Sequence, residues 1–148
     1  ATIRRLLKPR HPFPGIALFA ITANGKRQYF FLEMDAGTET IAPSERRIKA
    51  PSCWRDTSLL RKFVIYASAF ETKAHQTAFD IPVFRVLTIT TTPGRAEAMQ
   101  DACATHLKNV RSGLFLFGDW PSLPGEPGKL LRYAFGSTAT RCFSILGD

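Results

Sequence analysis

Short, densely apolar runs alternate along this chain with segments whose apolar residues recur every three or four positions. GIALFAIT, residues 15–22, is almost wholly apolar over strand length, the pattern of a strand buried on both faces. Ala23-Asn24-Gly25-Lys26 follows, and then a second apolar run, QYFFLEMD, residues 28–35. Asn-Gly readily adopts the positive φ that a two-residue hairpin turn requires, so the two runs predict a β-hairpin. Thr57 or Ser58 is placed to cap a helix running to about Glu71, with Leu59, Phe63, Ala67 and Phe70 at helical spacing. After Pro82, the β-branched run VFRVLTITT predicts a strand. Thr92-Pro93 then opens a helix to about Asn109, its inner stripe Ala96, Met99, Cys103, Leu107 and Val110. GLFLFG, residues 113–118, is a further buried strand, and a last one is predicted near Arg141 to Ile145 beyond the prolines at 121, 124 and 127.

The element order is thus β-β-α-β-α-β, which predicts an α/β fold with a central mixed β-sheet flanked by helices. Residues 15–148 form a single domain on this reading, and the basic, proline-punctuated residues 1–14 an extended arm or linker. Residues 36–56 read as loop with one helical turn. The 148 residues suit one core rather than two, and 45% hydrophobic with 22% charged residues is ordinary globular usage. The chain opens at Ala1 rather than Met, so it is expected to be the C-terminal part of a longer protein. No apolar run nears the ~20 residues of a membrane span, and no signal-peptide layout is present, so a cytoplasmic location is expected. Cys53, Cys103 and Cys142 are odd in number and widely spaced, which argues for reduced thiols rather than a disulfide framework. No glycine-rich loop follows a strand, which removes the Rossmann and P-loop readings. The net charge of +8 favours a polyanionic partner, because neutralised phosphates release condensed counterions.

Candidate chemistry gathers at the end of the second strand. Alternation puts Glu33 and Asp35 on one face, two carboxylates that repel unless a cation lies between them. A divalent ion such as Mg²⁺ or a basic side chain resolves that repulsion, while a solvated strand end is the plainer alternative. Lys62, at the edge of the next helix's apolar stripe with Tyr66 one turn on, is long enough to bring its ammonium to the same strand end. The basic cluster Arg46, Arg47, Lys49 and Arg55, with Arg61 on the helix, suits phosphate contacts flanking such a site. His75 and His106 read as surface or satisfied histidines; His11 is an optional further metal ligand.

YFFLEMDAGTET, SLLRKFVIYASAF, FRVLTITTTPGRAEAM and GLFLFG, in this order across residues 14–118, resemble the plasmid replication-relaxation proteins of plasmids and other mobile elements. That family is similar to the restriction-endonuclease-like PD-(D/E)xK nucleases, which use two carboxylates and a lysine around Mg²⁺. The resemblance implies Glu33 as the second-strand motif carboxylate and metal ligand, with Asp35 beside it where the motif lysine usually stands. It also implies Lys62 as a lysine relocated to the helix, and DNA as the partner. Gly15 stands where the family pattern has its first Asp, and Ala36 where it tends to have Arg. Loss of that carboxylate weakens Mg²⁺ binding, since the ion seeks six oxygens.

Three readings follow. The first is a DNA-acting, endonuclease-like protein of a mobile element, in replication, relaxation or mobilisation, with Glu33, Asp35 and Lys62 catalytic. The second is a non-catalytic DNA-binding module on the same fold. The third is a protein-interaction domain using its apolar strands and proline-rich tail.

Overall fold

Both faces of the central strands are apolar, so the sheet must be covered twice. In the computed structural model, residues 2–5, 17–43, 58–107, 109–111, 113–138 and 142–146 are described. Strands β1 (Thr2–Arg5), β2 (Ala17–Ala23), β3 (Lys26–Met34), β4 (Arg85–Thr90), β5 (Phe115–Asp119) and β6 (Gly136–Ser137) lie side by side in that order. Pairing is antiparallel except for β3–β4 and β4–β5, which are parallel. Leu18, Phe31, Val86, Phe115 and Phe117 face one side, where α1 (Leu59–Glu71), α2 (Ala74–Phe79) and α3 (Pro93–His106) cover them. Ile21, Phe30, Leu87, Ile89 and Leu116 face the other.

The protein is a single α/β domain with a mixed sheet, as the apolar pattern predicts. The hairpin forms as expected: Asn24 (φ 51°) and Gly25 (φ 73°) make the turn, and Ala23 pairs with Lys26. Both cap predictions hold as well. Ser58 Oγ accepts from the Arg61 amide at 3.2 Å, and Thr92 Oγ1 from the Arg95 amide at 3.3 Å. The two remaining early amides of α1, Leu59 and Leu60, donate to the carbonyls of Thr40 (3.0 Å) and Ile41 (2.8 Å). The loop after β3 is thereby tied to the start of α1.

Several elements differ from the expected order. Within the arm predicted for residues 1–14, Thr2–Arg5 is an edge strand on β2. Lys73 and Asp80, both at positive φ, bracket the short helix α2, which has too few turns for a periodic signal. The strand expected near 141–145 is replaced by one bridge, Phe135 to Phe143, and the ladder is instead made by β6. Among the described residues no long helix covers the second face of the sheet. The tail does this, with the one-turn α4 (Pro127–Leu130) and apolar side chains including Leu123, Tyr133, Phe135 and Ile145. Proline and glycine there set turns, and packing supplies the stability. No described helix is long and apolar enough to cross a membrane.

Candidate functional site

Parallel pairing sets the C-terminal ends of β3, β4 and β5 on one edge, the usual position for ligand sites on α/β sheets. Glu33 lies opposite Thr88 in the register, and both face the helices, as do Asp35, Thr90 and Asp119. All five are buried, so a polar layer caps the apolar one beneath it.

Two separate ion-pair groups organise this layer. In the first, the Tyr66 hydroxyl donates to Glu33 Oε1 at 2.7 Å. Lys62 Nζ lies 4.0 Å from Glu33 Oε2 and donates to Glu39 Oε2 at 2.7 Å. Burial pushes the Glu33 carboxyl above the ordinary carboxylate range, against the opposing pull of Tyr66 and Lys62. In the second, Arg95 grips Asp35 with both prongs, Nε to Oδ2 at 2.5 Å and Nη2 to Oδ1 at 3.0 Å. Thr90 Oγ1 also donates to Oδ2 at 2.5 Å, and Arg95 Nη2 donates to the Glu39 carbonyl. Burial by itself would raise the Asp35 carboxyl, but the hydrogen bonds from Arg95 and Thr90 hold it below its usual range. The same hydrogen bond raises the Arg95 guanidinium.

Compared with known protein families, curated proteins and solved structures, the chain matches none.

The structure brings Lys62 to Glu33, as expected, but not Asp35 to Lys62. Asp35 instead ties the ends of β3 and β4 to the start of α3 and to the loop at Glu39. Arg61 lies half-buried on α1, while Arg46, Arg47, Lys49, Arg55 and His11 lie outside the described residues. His75 is buried, its ring nitrogens 2.9 Å and 3.2 Å from the carbonyl oxygens of Ala69 and Pro82, and is satisfied as expected. His106 is exposed.

Glu39 and Arg95 escaped the sequence reading, and each left a signal. Gly37 (φ 82°) turns the chain back over the strand end, and Glu39 returns with it. Arg95 places a cation in the first turn of α3, where the helix dipole disfavours it, so an acidic partner was to be expected. Trp120 and Met34, both exposed, flank an open groove of about 340 Å³ at this edge, also lined by Ile89 and Pro121.

As arranged, these residues do not fit Mg²⁺. The ion demands near-octahedral oxygen coordination. Both Asp35 oxygens are engaged by Arg95 and Thr90, and an ammonium already lies between Glu33 and Glu39. Among the described residues no three acidic, histidine or cysteine side chains form a metal-holding group.

Glu33→Gln gives a direct check on the first group. The amide keeps an oxygen for the Tyr66 hydroxyl and removes a buried charge. A carboxyl whose folded pKa is raised above 4.5 lowers stability once it ionises, and the penalty vanishes below that pH. In urea melts across pH, the variant is expected to match the wild type at pH 4 and below, beneath the value of about 4.3 for free Glu. It should then become relatively more stable, by on the order of 1 kcal/mol, as pH rises. A variant that is the less stable protein at neutral pH would show that ionised Glu33 is net stabilising.

Proposed function

We propose that this chain is a DNA-acting protein of a plasmid or other mobile element that binds DNA without hydrolysing it. One observation carries this reading: of the three carboxylates at the acidic strand end, Glu33 and Glu39 share Lys62 and Asp35 is gripped by Arg95, so internal cations offset most of their charge. That end neither cages a divalent ion nor strongly repels a polyanion, and the net charge of +8 remains for an external partner. The resemblance to replication-relaxation proteins supplies the biological setting, and the inherited strand-end carboxylates act as a brace.

The test is plasmid binding and nicking by the full chain with Mg²⁺ or Mn²⁺. Binding is expected to weaken steeply between about 50 and 200 mM salt, by several orders of magnitude if many phosphates are contacted. No nicking is expected with either metal. Metal-dependent nicking that Glu33→Gln abolishes would overturn the non-hydrolytic reading and give Glu33 a catalytic role. Absence of salt-sensitive binding would overturn DNA as the partner.

A further inference from the structure

The groove flanked by Met34 and Trp120, about 340 Å³, lies at the same strand ends as the acidic layer but is lined largely by apolar side chains. Met34 alternates with Glu33 and Asp35, so it faces the other side of the sheet, where it lies beside Ile89 in the register. Ile89 pairs in turn with Gly118, and Trp120 follows two residues on. Among the described residues, the large hydrophobic side chains left exposed are Met34 at 43%, Ile65 at 38% and Trp120 at 68%. Two of these three border this groove. Scattered singly, such residues need no explanation, but a thioether and an indole around one apolar concavity form a surface that gains by being covered.

The backbone that carries the indole is also held in place. Asp119, buried at the end of β5, accepts from the Ser122 amide at 3.0 Å and from the Ser122 hydroxyl at 2.7 Å. Its carboxylate thus caps the 3-10 turn Trp120–Ser122, in which Pro121 fixes one φ. A ring carried on a braced turn loses less freedom when something stacks on it, which lowers the entropy cost of binding.

Size and charge narrow the occupant. The volume is near the low end of the ~300–1,000 Å³ usual for small-ligand sites, which suits a planar ring system rather than a folded partner. Among the described residues the one carboxylate in the lining, Asp35, is gripped by Arg95, and the chain as a whole carries +8. An anionic chain that bears planar rings satisfies both conditions. Any nucleobase stacks on an indole, since every base has a π face, and a methionine sulfur makes favourable contacts with ring edges. Bases within a duplex already stack on one another, so only an unpaired base can lie against Trp120.

We infer that this groove binds an unpaired base of single-stranded DNA by stacking it on Trp120. The inference rests on the DNA-binding reading above and adds to it a preference for unpaired strands.

The experiment measures anisotropy of a fluorescein-labelled oligo(dT) of about 16 nucleotides, the upper end of common single-strand site sizes, and of a duplex of equal length. Full-chain wild type, Trp120→Ala, Trp120→Phe and Ile65→Ala are compared at several salt concentrations. Ile65 is exposed on α1 and does not line the groove. The wild type is expected to bind the single strand more tightly than the duplex. Trp120→Ala should bind oligo(dT) at least about fivefold more weakly, the loss of one base stack. Its duplex affinity and salt slope should stay unchanged, because no phosphate contact is removed. Trp120→Phe should retain most of the affinity, and Ile65→Ala all of it. Thermal melts verify folding, and Trp120→Leu, apolar but without a π face, replaces the alanine variant if that unfolds. Unchanged affinity of Trp120→Ala for oligo(dT) would overturn the groove while leaving DNA binding intact. Equal losses on the two DNAs, or a wild type that prefers the duplex, would do the same. Self-association in sedimentation that disappears in Trp120→Ala, with DNA affinity unchanged, would assign the groove to a second copy of the chain instead. Failure of the wild type to bind either DNA would overturn the DNA reading, and this inference with it.

Discussion

Replacing Arg95 with alanine is expected to destabilise the protein by about 3 kcal/mol, the cost of stranding a buried charge. For a chain of this length that corresponds to a fall in Tm of roughly 6–12 °C. Asp35 is almost inaccessible, and two of its hydrogen bonds come from the Arg95 guanidinium. With the arginine gone, the carboxylate keeps only Thr90 and local backbone, and must ionise in a poorly solvating site. The pH dependence identifies the cause. In the wild type the Asp35 pKa is depressed, so its contribution is fully present above the unfolded value of about 3.9 and is lost as pH falls through the folded one. In the variant, burial without the guanidinium raises that pKa, and the penalty disappears as pH drops. The gap between the proteins is therefore expected to be widest at neutral pH and to close towards pH 3–4, about the range of a free carboxyl. Adding Asp35→Asn to Arg95→Ala should recover part of the loss, because no buried charge remains. A gap independent of pH, with no recovery in the double variant, would mean that Arg95 acts by packing alone.

A loss of similar size is expected for Phe84→Ala, about 4 kcal/mol by the usual cost of deleting a buried phenyl ring. Phe84 is buried just before β4, at the centre of an aromatic group. Its ring lies edge-on to Phe31 at 5.0 Å, Phe70 at 5.6 Å and His75 at 4.9 Å, and 6.2 Å from Tyr66. These partners belong to β3, α1 and α2, so one side chain joins the sheet to both helices. Tyr66 is also the donor to Glu33, which links this apolar cluster to the polar layer above it. Urea unfolding measures the loss. Hydrogen exchange is expected to show faster opening of α2, whose six residues rely on this packing. A change below about 1.5 kcal/mol would show that the neighbouring rings collapse into the space, the outcome typical of sites that relax well.

Local chemistry made some elements legible. Asn24-Gly25 demanded a turn because few other residue pairs take positive φ there, and Ser58 and Thr92 marked helix starts because their hydroxyls accept from helical amides. The elements that escaped notice, α2, β6 and the covering tail, are too short for hydrophobic periodicity to emerge, and their conformations are imposed by what they pack on. The site divides the same way. Alternation alone placed Glu33 and Asp35 on one face, and helical spacing brought Lys62 towards them, because both follow from backbone geometry.

By itself, the sequence determined the α/β class with its mixed sheet, the shared orientation of the two carboxylates and the surplus of positive charge. Only the tertiary structure decided which cation each carboxylate meets. Lys62 could serve Glu33 or Asp35 as far as spacing goes, but Gly37 returns Glu39 to that lysine while α3 delivers Arg95 to Asp35. Ion pairs form between residues 23 and 60 positions apart, and such distances become contacts only when loop and helix positions are settled by packing. The same holds for Met34 and Trp120, which are far apart along the chain and share a groove because parallel strands end on one edge.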